Sequence, residues 1–425
     1  MTTTRLRRHK QRLIILIPWL YVLAAILLGY AVPKMNAHFL PWLVSPLDRD
    51  VIIACLSAAS TGMMALTGIV FALGTVMITF ATSAFTPRLV SAFADRTLVH
   101  ALGVFTGSFL YMLIVLRAVG KHHAEPVSEI PLLISIIWII ASVYMLFRMI
   151  IRTWTMNEAI ILTTLGTVGL QTIRRTYPTP YTSISAAKEG ATAFALEENV
   201  IQSVVYHGRP LYISRYDVTS LVFMAQAADA VVQLPYAIGD AIIEGDTLAV
   251  VYGQHPFSEE RLREAMELDQ DRSLESDPMY AMRLLTDIAI HALSPAINDP
   301  TTAVEALNKT EALLRTLGVA DLQIGRVEDI AGVVRLVYPT PTWEEYLHLG
   351  IIEILHYGAD SVQVQRRIGM LLHSLHDVVP EARRTAVEQL AVERVAIVHR
   401  AFPDTYESVI AEADDRQGLG RTWVA

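Results

Sequence analysis

Cysteine is nearly missing from this 425-residue chain, and the one present, Cys55, lies inside a hydrophobic run. A single thiol excludes a disulfide framework and a cysteine-based metal centre. Charge is scarce as well: 18% of residues are Asp, Glu, Lys or Arg against 53% hydrophobic, and the mean hydropathy is +0.39. Such a composition is too apolar for an ordinary soluble enzyme, although the length allows two or three domains. The sequence also has no His-Glu-x-x-His, Walker loop, Gly-x-Ser-x-Gly or Gly-x-Gly-x-x-Gly. The usual routes to metalloprotease, nucleotide, hydrolase or dinucleotide chemistry therefore have no foothold. No enzyme activity, cofactor or metal is expected.

The few charges are unevenly divided. Residues 1–151 hold 12 Lys/Arg and 5 Asp/Glu, whereas residues 152–425 hold 22 and 37. An acidic second part argues against nucleic acid as a partner and against flat docking on anionic lipid, since both need a basic face.

What the chain does have is long apolar runs. Val51 to Phe85 carries no charge over 35 positions and is rich in Ser, Thr, Ala and Gly. At about 1.5 Å per residue a helix of that length reaches roughly 50 Å, beyond the ~30 Å bilayer core. Four spans are expected, at about 13–32, 51–85, 97–119 and 132–151, which makes 1–154 a transmembrane domain. The first is read as a retained span, because it is about 20 residues long and lacks a clear small-x-small cleavage site. Lys/Arg cluster at Arg5 to Arg12, at Arg88 to Arg96 and at Arg148 and Arg152. By the positive-inside rule both termini are then cytoplasmic, in a bacterial plasma (inner) membrane.

Within the long helix, Ser57 and Thr61, Ala58 and Gly62, and Gly68 and Ala72 are spaced four apart and share a face. Ser57, Ser60, Thr61, Thr67, Gly68, Thr75 and Thr79 are accordingly candidates for close helix packing or for a pore lining. No Asp, Glu, Lys or Arg sits at mid-membrane, which removes the expected handle of a proton-coupled carrier.

Residues 155–180 read as a joining or interfacial helix, ended by Tyr177-Pro178-Thr179-Pro180. Residues 181–257 read as a small α/β or β-rich module. It holds a helix over Ser183–Glu198, strands on either side of His207-Gly208-Arg209-Pro210, a helix over Leu221–Val231 and two Gly-Asp turns between 238 and 251. Those turns resemble the hairpins of the lipoyl-carrier fold, but the segment has no lysine to carry a group. Residues 258–425 read as mainly helical, with a strand at 333–338. Ser258 is a plausible cap there. Glu345-x-x-His348 and Glu353-x-x-His356 would lie on one helix, so they lack the two-helix arrangement of di-iron bundles.

The most distinctive stretch runs from Asp277-Pro278 to Ala292-Leu293-Ser294-Pro295-Ala296-Ile297-Asn298-Asp299-Pro300-Thr301-Thr302. A helix from Met279 to Leu293 is stopped at Ser294-Pro295, and Asp299-Pro300 starts another as N-cap and first helical residue. This corner resembles the signature of the bacterial predicted-membrane-protein family known as domain of unknown function 2254. The likeness extends to Ser83, Phe85, Pro87, Arg88 and Leu89 and over nearly the whole chain. Ala296 stands where the family usually has Gly, which implies a position without positive φ. The resemblance implies architecture rather than chemistry: a cytoplasmic domain accompanying a membrane bundle. Asp287, His291, Ser294, Pro295, Asn298, Asp299, Pro300 and Thr302 form a candidate corner, either binding a ligand or cation or simply capping and turning.

The expected fold is thus an α-helical integral membrane protein of four transmembrane helices with a mixed α+β, mostly helical cytoplasmic domain. The expected function is a homo-oligomeric channel or pore-like transport protein with the second helix on the axis, its partners being the lipid bilayer, further copies, and ions or a small ligand. The alternative is a membrane-anchored sensor or scaffold whose cytoplasmic domain binds a ligand or a protein.

Overall fold

The computed structural model describes residues 16–33, 48–84, 97–121, 130–155, 158–185, 200–256 and 258–416. The basic clusters at 5–12 and 88–96, the signature joint beyond Ser83, and most of the helix expected at Ser183–Glu198 lie outside these. The chain divides into two units, Met1–Asn157 and Glu158–Ala425.

The first unit is built from α1 (Leu16–Pro33), α2 (Arg49–Ala84), α3 (Thr97–Lys121) and α4 (Ile130–Thr155). All four are long and apolar enough to cross a membrane. Half of the apolar window of α3 is buried, against about a fifth or less in the others, so α3 is the element the others pack on. Small residues make that possible. A Cβ on Gly103 would lie 2.5 Å from the Tyr21 ring and 3.2 Å from Pro18 Cα, so α1 and α3 touch nearly backbone to backbone. On another side of α3, the Ser108 and Ser142 hydroxyls bond at 2.9 Å across to α4. Ile52, Leu56, Met63 and Val70 are the stripe that α2 buries in this bundle.

The second unit mixes helices with two sheets. Its elements are α5 (Glu158–Thr176), β1 (Val200–Val205), β2 (Leu211–Tyr216), α6 (Val218–Ala227), β3 (Ala230–Gln233), β4 (Ala241–Ile242), β5 (Thr247–Gly253), α7 (Glu259–Glu264) and β6 (Met266–Asp269). They are followed by α8 (Pro278–Ala292), α9 (Pro300–Gly318), β7 (Arg326–Glu328), β8 (Val334–Val337), α10 (Trp343–Tyr357), α11 (Val362–Val378), α12 (Glu381–Ala401) and α13 (Thr405–Glu412). One sheet has the order β1-β5-β3-β8-β7, antiparallel except for the parallel β3–β8 pair, and the other β4-β2-β6. A shared cluster that includes Val204, Ile213, Leu221, Val232, Ile242, Val251 and Leu336 fills the interior of this layer.

Several expectations are revised by this arrangement. The helix expected over Leu221–Val231 ends at Ala227, and Val231 belongs to β3, paired between β5 and β8. The reversal occurs at Asp229, whose φ of 46° breaks the helix. The strands expected on either side of the His207 turn are β1 and β2, and they enter different sheets. Strands β7 and β8 come from beyond residue 258 yet complete the five-stranded sheet, so the β-layer is not confined to 181–257. The α5 helix is not merely a connector. Leu162, Leu165 and Ile173 are buried, and a Cβ on Gly169 would fall 3.1 Å from the side chains of Ala281 on α8 and Leu313 on α9. Ser258 precedes α7 without capping it through its side chain. The two Gly-Asp turns do recur as one device: Asp240 and Asp246 each accept the backbone N–H three residues earlier, at 2.7 and 2.8 Å.

Candidate functional site

Two regions carry the candidate residues, and each lies within one unit. On α2, Ser57, Thr61, Gly68, Thr75 and Thr79 are exposed, Thr67 is half-buried and Ser60 is buried. With Ala65 and Ala72, the exposed set stays within an arc of roughly 80° along the helix, on the side away from Ile52, Leu56, Met63 and Val70. A Cβ added to Gly62 or Gly68 would meet no described atom within 4 Å. Among the described residues of one chain, therefore, nothing packs closely on these glycines. The hydroxyls are not idle: Thr61, Thr67, Thr75 and Thr79 donate to the carbonyls of Ser57, Met63, Phe71 and Thr75 at 2.7–3.0 Å. Each closes its donor on its own helix, which leaves the oxygen as an acceptor.

The helix-loop-helix corner is held by backbone and capping bonds. Asp277 caps α8 by accepting from Tyr280 N, with Pro278 in its first turn. Burial raises the Asp277 carboxyl above the usual range, and an ion pair to Arg272 at 2.8 Å opposes that rise. After α8 the chain turns on bonds from Ile297 N and Asn298 N to Ser294 O, and from Asp299 N to Ala292 O at 2.8 Å. Asn298 takes the left-handed conformation, φ 50°, while Ala296 does not have positive φ. Asp299 then caps α9: Oδ1 accepts from Thr301 N and Thr302 N, and Oδ2 from the Thr302 hydroxyl at 2.7 Å. Pro300 occupies the first turn.

The signature thus serves two neighbourhoods. Asp287 is buried and pairs with Arg283, whose guanidinium also forms a bidentate pair with Glu353 on α10. Its hydrogen bonds to Arg283 hold the Glu353 carboxyl below the usual range. Asp299 and Thr302 instead satisfy the start of α9. His291 and Ser294 are half-buried, whereas Pro295, Ala296, Ile297 and Asn298 are exposed. The corner therefore exposes Pro295, Ala296, Ile297 and Asn298, while the Asp287 and Asp299 carboxylates are engaged in pairing and capping. Arg283 and Glu353 are the residues that pattern reading left out of the corner. Their pairing joins helices 70 residues apart, which no local spacing announces. Among the described residues no group of three His, Cys, Asp or Glu is placed to hold a metal ion. Glu345 closes the capping box of α10 with Thr342 instead.

With this geometry in hand, comparison with known proteins assigns the family. The family model described as predicted membrane protein (DUF2254) matches residues 11–374. The chain belongs to this family. Similar chains include an uncharacterized protein of Mycobacterium bovis and one of Mycobacterium tuberculosis. Each is 28% identical over 368 residues, covering 82% of this chain and 68% of the relative. No solved structure matches this chain.

Proposed function

We propose that this DUF2254 member is a homo-oligomeric channel of the bacterial inner membrane, with the small, hydroxylated face of α2 lining the axis. The observation that carries this reading is the exposed stripe Ser57, Thr61, Ala65, Gly68, Ala72, Thr75 and Thr79, opposite the face that packs on α3. Glycine and alanine at such spacing let helices approach closely in lipid, and threonine oxygens whose protons are already spent are acceptors for water or cations. An absence of fixed charge within α2 after Asp50 leaves no barrier of one sign along that face. The acidic balance of residues 152–425 favours cations over anions. Both termini are cytoplasmic in this reading, and the protein has no catalytic role.

The test is ion flux in proteoliposomes, with salt gradients and membrane tension, beside Gly68→Leu. Conductance in the wild type that falls in the variant, with insertion unchanged, supports the axis. In a Cys55→Ser background, Ala65→Cys is expected to cross-link between copies. Silence from an inserted wild type, with no cross-link, overturns the reading.

A second reading has its own observation, the exposed Ile297 on a rigidly capped corner. A membrane-anchored sensor or scaffold would present that corner to a protein partner. In that case Ile297→Glu abolishes partner binding while any flux is unchanged.

A further inference from the structure

The last element of the second unit, α13 with residues 413–415, is held by charge more than by apolar burial. Of α13 only Ser408 and Ala411 are buried, while Tyr406 and Val409 are exposed. Two guanidiniums face it. Arg394 of α12 is buried and donates from Nη2 to the carbonyls of Ala411 and Glu412, at 3.0 and 2.9 Å. Its Nη1 lies 4.0 Å from Asp414, and Gly369 of α11 provides the room, since a Cβ there would fall 2.5 Å from Arg394 Cζ. Arg366 of α11 faces Asp415 at 3.8 Å.

Two further anchors depend on a proton. His373 of α11 places Nδ1 3.8 Å from Asp414 and Nε2 3.7 Å from Asp377 on its own helix. His399 of α12 places Nε2 3.0 Å from Glu412. His373 also lines a cavity of about 240 Å³, with His376, Glu388, Arg394 and Asp414 among its walls. In it, His376 pairs at 3.2 Å with Glu388 of α12 and not with the strap.

We propose that α13 and residues 413–415 form a proton-controlled strap, clasped onto α11 and α12 when His373 and His399 are charged. Histidine is the side chain that gains charge between pH 8 and pH 5. Here each of the two meets carboxylates: Asp377 and Asp414 for His373, and Glu412 for His399. The cations nearby are Arg394, which already binds the strap, and Arg400, next in sequence to His399. Protonation converts two weak contacts into ion pairs that bridge elements, so the docked strap gains as pH falls through this range. Release of the strap removes the Asp414 wall from the cavity and uncovers Arg394.

Hydrogen exchange of the full-length protein in detergent, corrected for intrinsic rates, reads the strap directly. Protection of residues 405–415 is expected to rise about threefold to tenfold from pH 8 to pH 6, as two partly exposed ion pairs would give. That rise vanishes in the His373→Gln, His399→Gln double variant and survives in His376→Gln, whose partner is Glu388. Equal wild-type protection at both pH values overturns the proposal. So does a rise that persists in the double variant, or one abolished by His376→Gln alone.

Discussion

The two units of this protein weight their polar contacts differently. In the first, hydroxyls close on their own helix: Thr61, Thr67 and Thr75 donate back to a carbonyl four residues earlier, and Ser108 with Ser142 is a short bridge between uncharged groups. In the second, buried charges reach across the chain. Glu311 of α9 accepts from Arg367 and from the Ser374 hydroxyl, both on α11, and Arg367 also donates to Asn308 at 2.6 Å. Arg383 of α12, fully buried, donates from Nη1 to the carbonyls of Leu317, Gly318 and Ala320 at 3.0–3.1 Å, closing the end of α9. The lesson is one of alternatives. An apolar surround gives an unmade polar contact no water to fall back on, so the first unit relies largely on local or uncharged polar bonds, with the Arg49 guanidinium on the Val119 carbonyl as its long-range exception. The second unit commits stability to a few long-range charged groups, each costly to remove.

The comparison is broken most sharply at Glu311. Glu311→Ala leaves Arg367 buried without its carboxylate, and a loss of about 3–5 kcal/mol is expected in denaturant unfolding of the full chain. Burial raises the Glu311 carboxyl, but the Ser374 hydrogen bond and the Arg367 charge outweigh it and hold the carboxyl below the usual range. A carboxylate depressed in the folded state stabilises above its unfolded value and loses that contribution as pH falls toward the folded one. The second unit is therefore expected to lose stability below about pH 4, less steeply in Glu311→Gln. Next comes Arg383→Ala, which removes the buried donor shared by three carbonyls and the cation stacked 4.3 Å from the Tyr181 ring. Roughly 3 kcal/mol is expected, again by denaturant midpoint. An unchanged midpoint in either variant would mean that water reaches these sites.

The corner gives a smaller effect and a sharper one. Asp299→Ala removes three accepted hydrogen bonds at the start of α9 and is expected to cost about 1–2 kcal/mol, as caps do. Asn298→Gly, at φ 50°, is expected to be neutral within a few tenths of a kcal/mol. A thermal melt separates the two. If Asp299→Ala is instead silent in stability while a binding activity disappears, the carboxylate serves a ligand and the capping account fails.

How much of this was legible depends on whether the physical cause is local. Asp277-Pro278 and Asp299-Pro300 announce their helices because cap and first turn are adjacent in sequence, and α8 and α9 begin where those signals stand. Apolar run length alone marks α2 and α4. Strand partners were not legible: β1 and β2 are neighbours in sequence, yet β1 pairs with β5 and β2 with β4 and β6. Nor were the buried arginines. Arg366, Arg367, Arg383 and Arg394 are buried on α11 and α12. A guanidinium offers five donors, and whether carbonyls or carboxylates wait for them is settled by helices distant in sequence. For the α2 stripe, spacing marks the small face, but spacing cannot say whether another helix covers it.

Thr75 is where that last point is sharpened, with the smallest expected effect on folding. Its hydroxyl donates to Phe71 O at 3.0 Å, a bond parallel to one the helix already makes, and the side chain is exposed. Thr75→Val keeps the shape and is expected to change stability by no more than about 0.5 kcal/mol. Flux is the discriminating measurement. On an axis, the lost oxygen is an acceptor withdrawn from the conducted species, so conductance falls while the melting midpoint stays. Facing lipid, the methyl is welcome and neither quantity moves. A variant that instead lost several kcal/mol would show that the Thr75 hydroxyl holds more than its own helix.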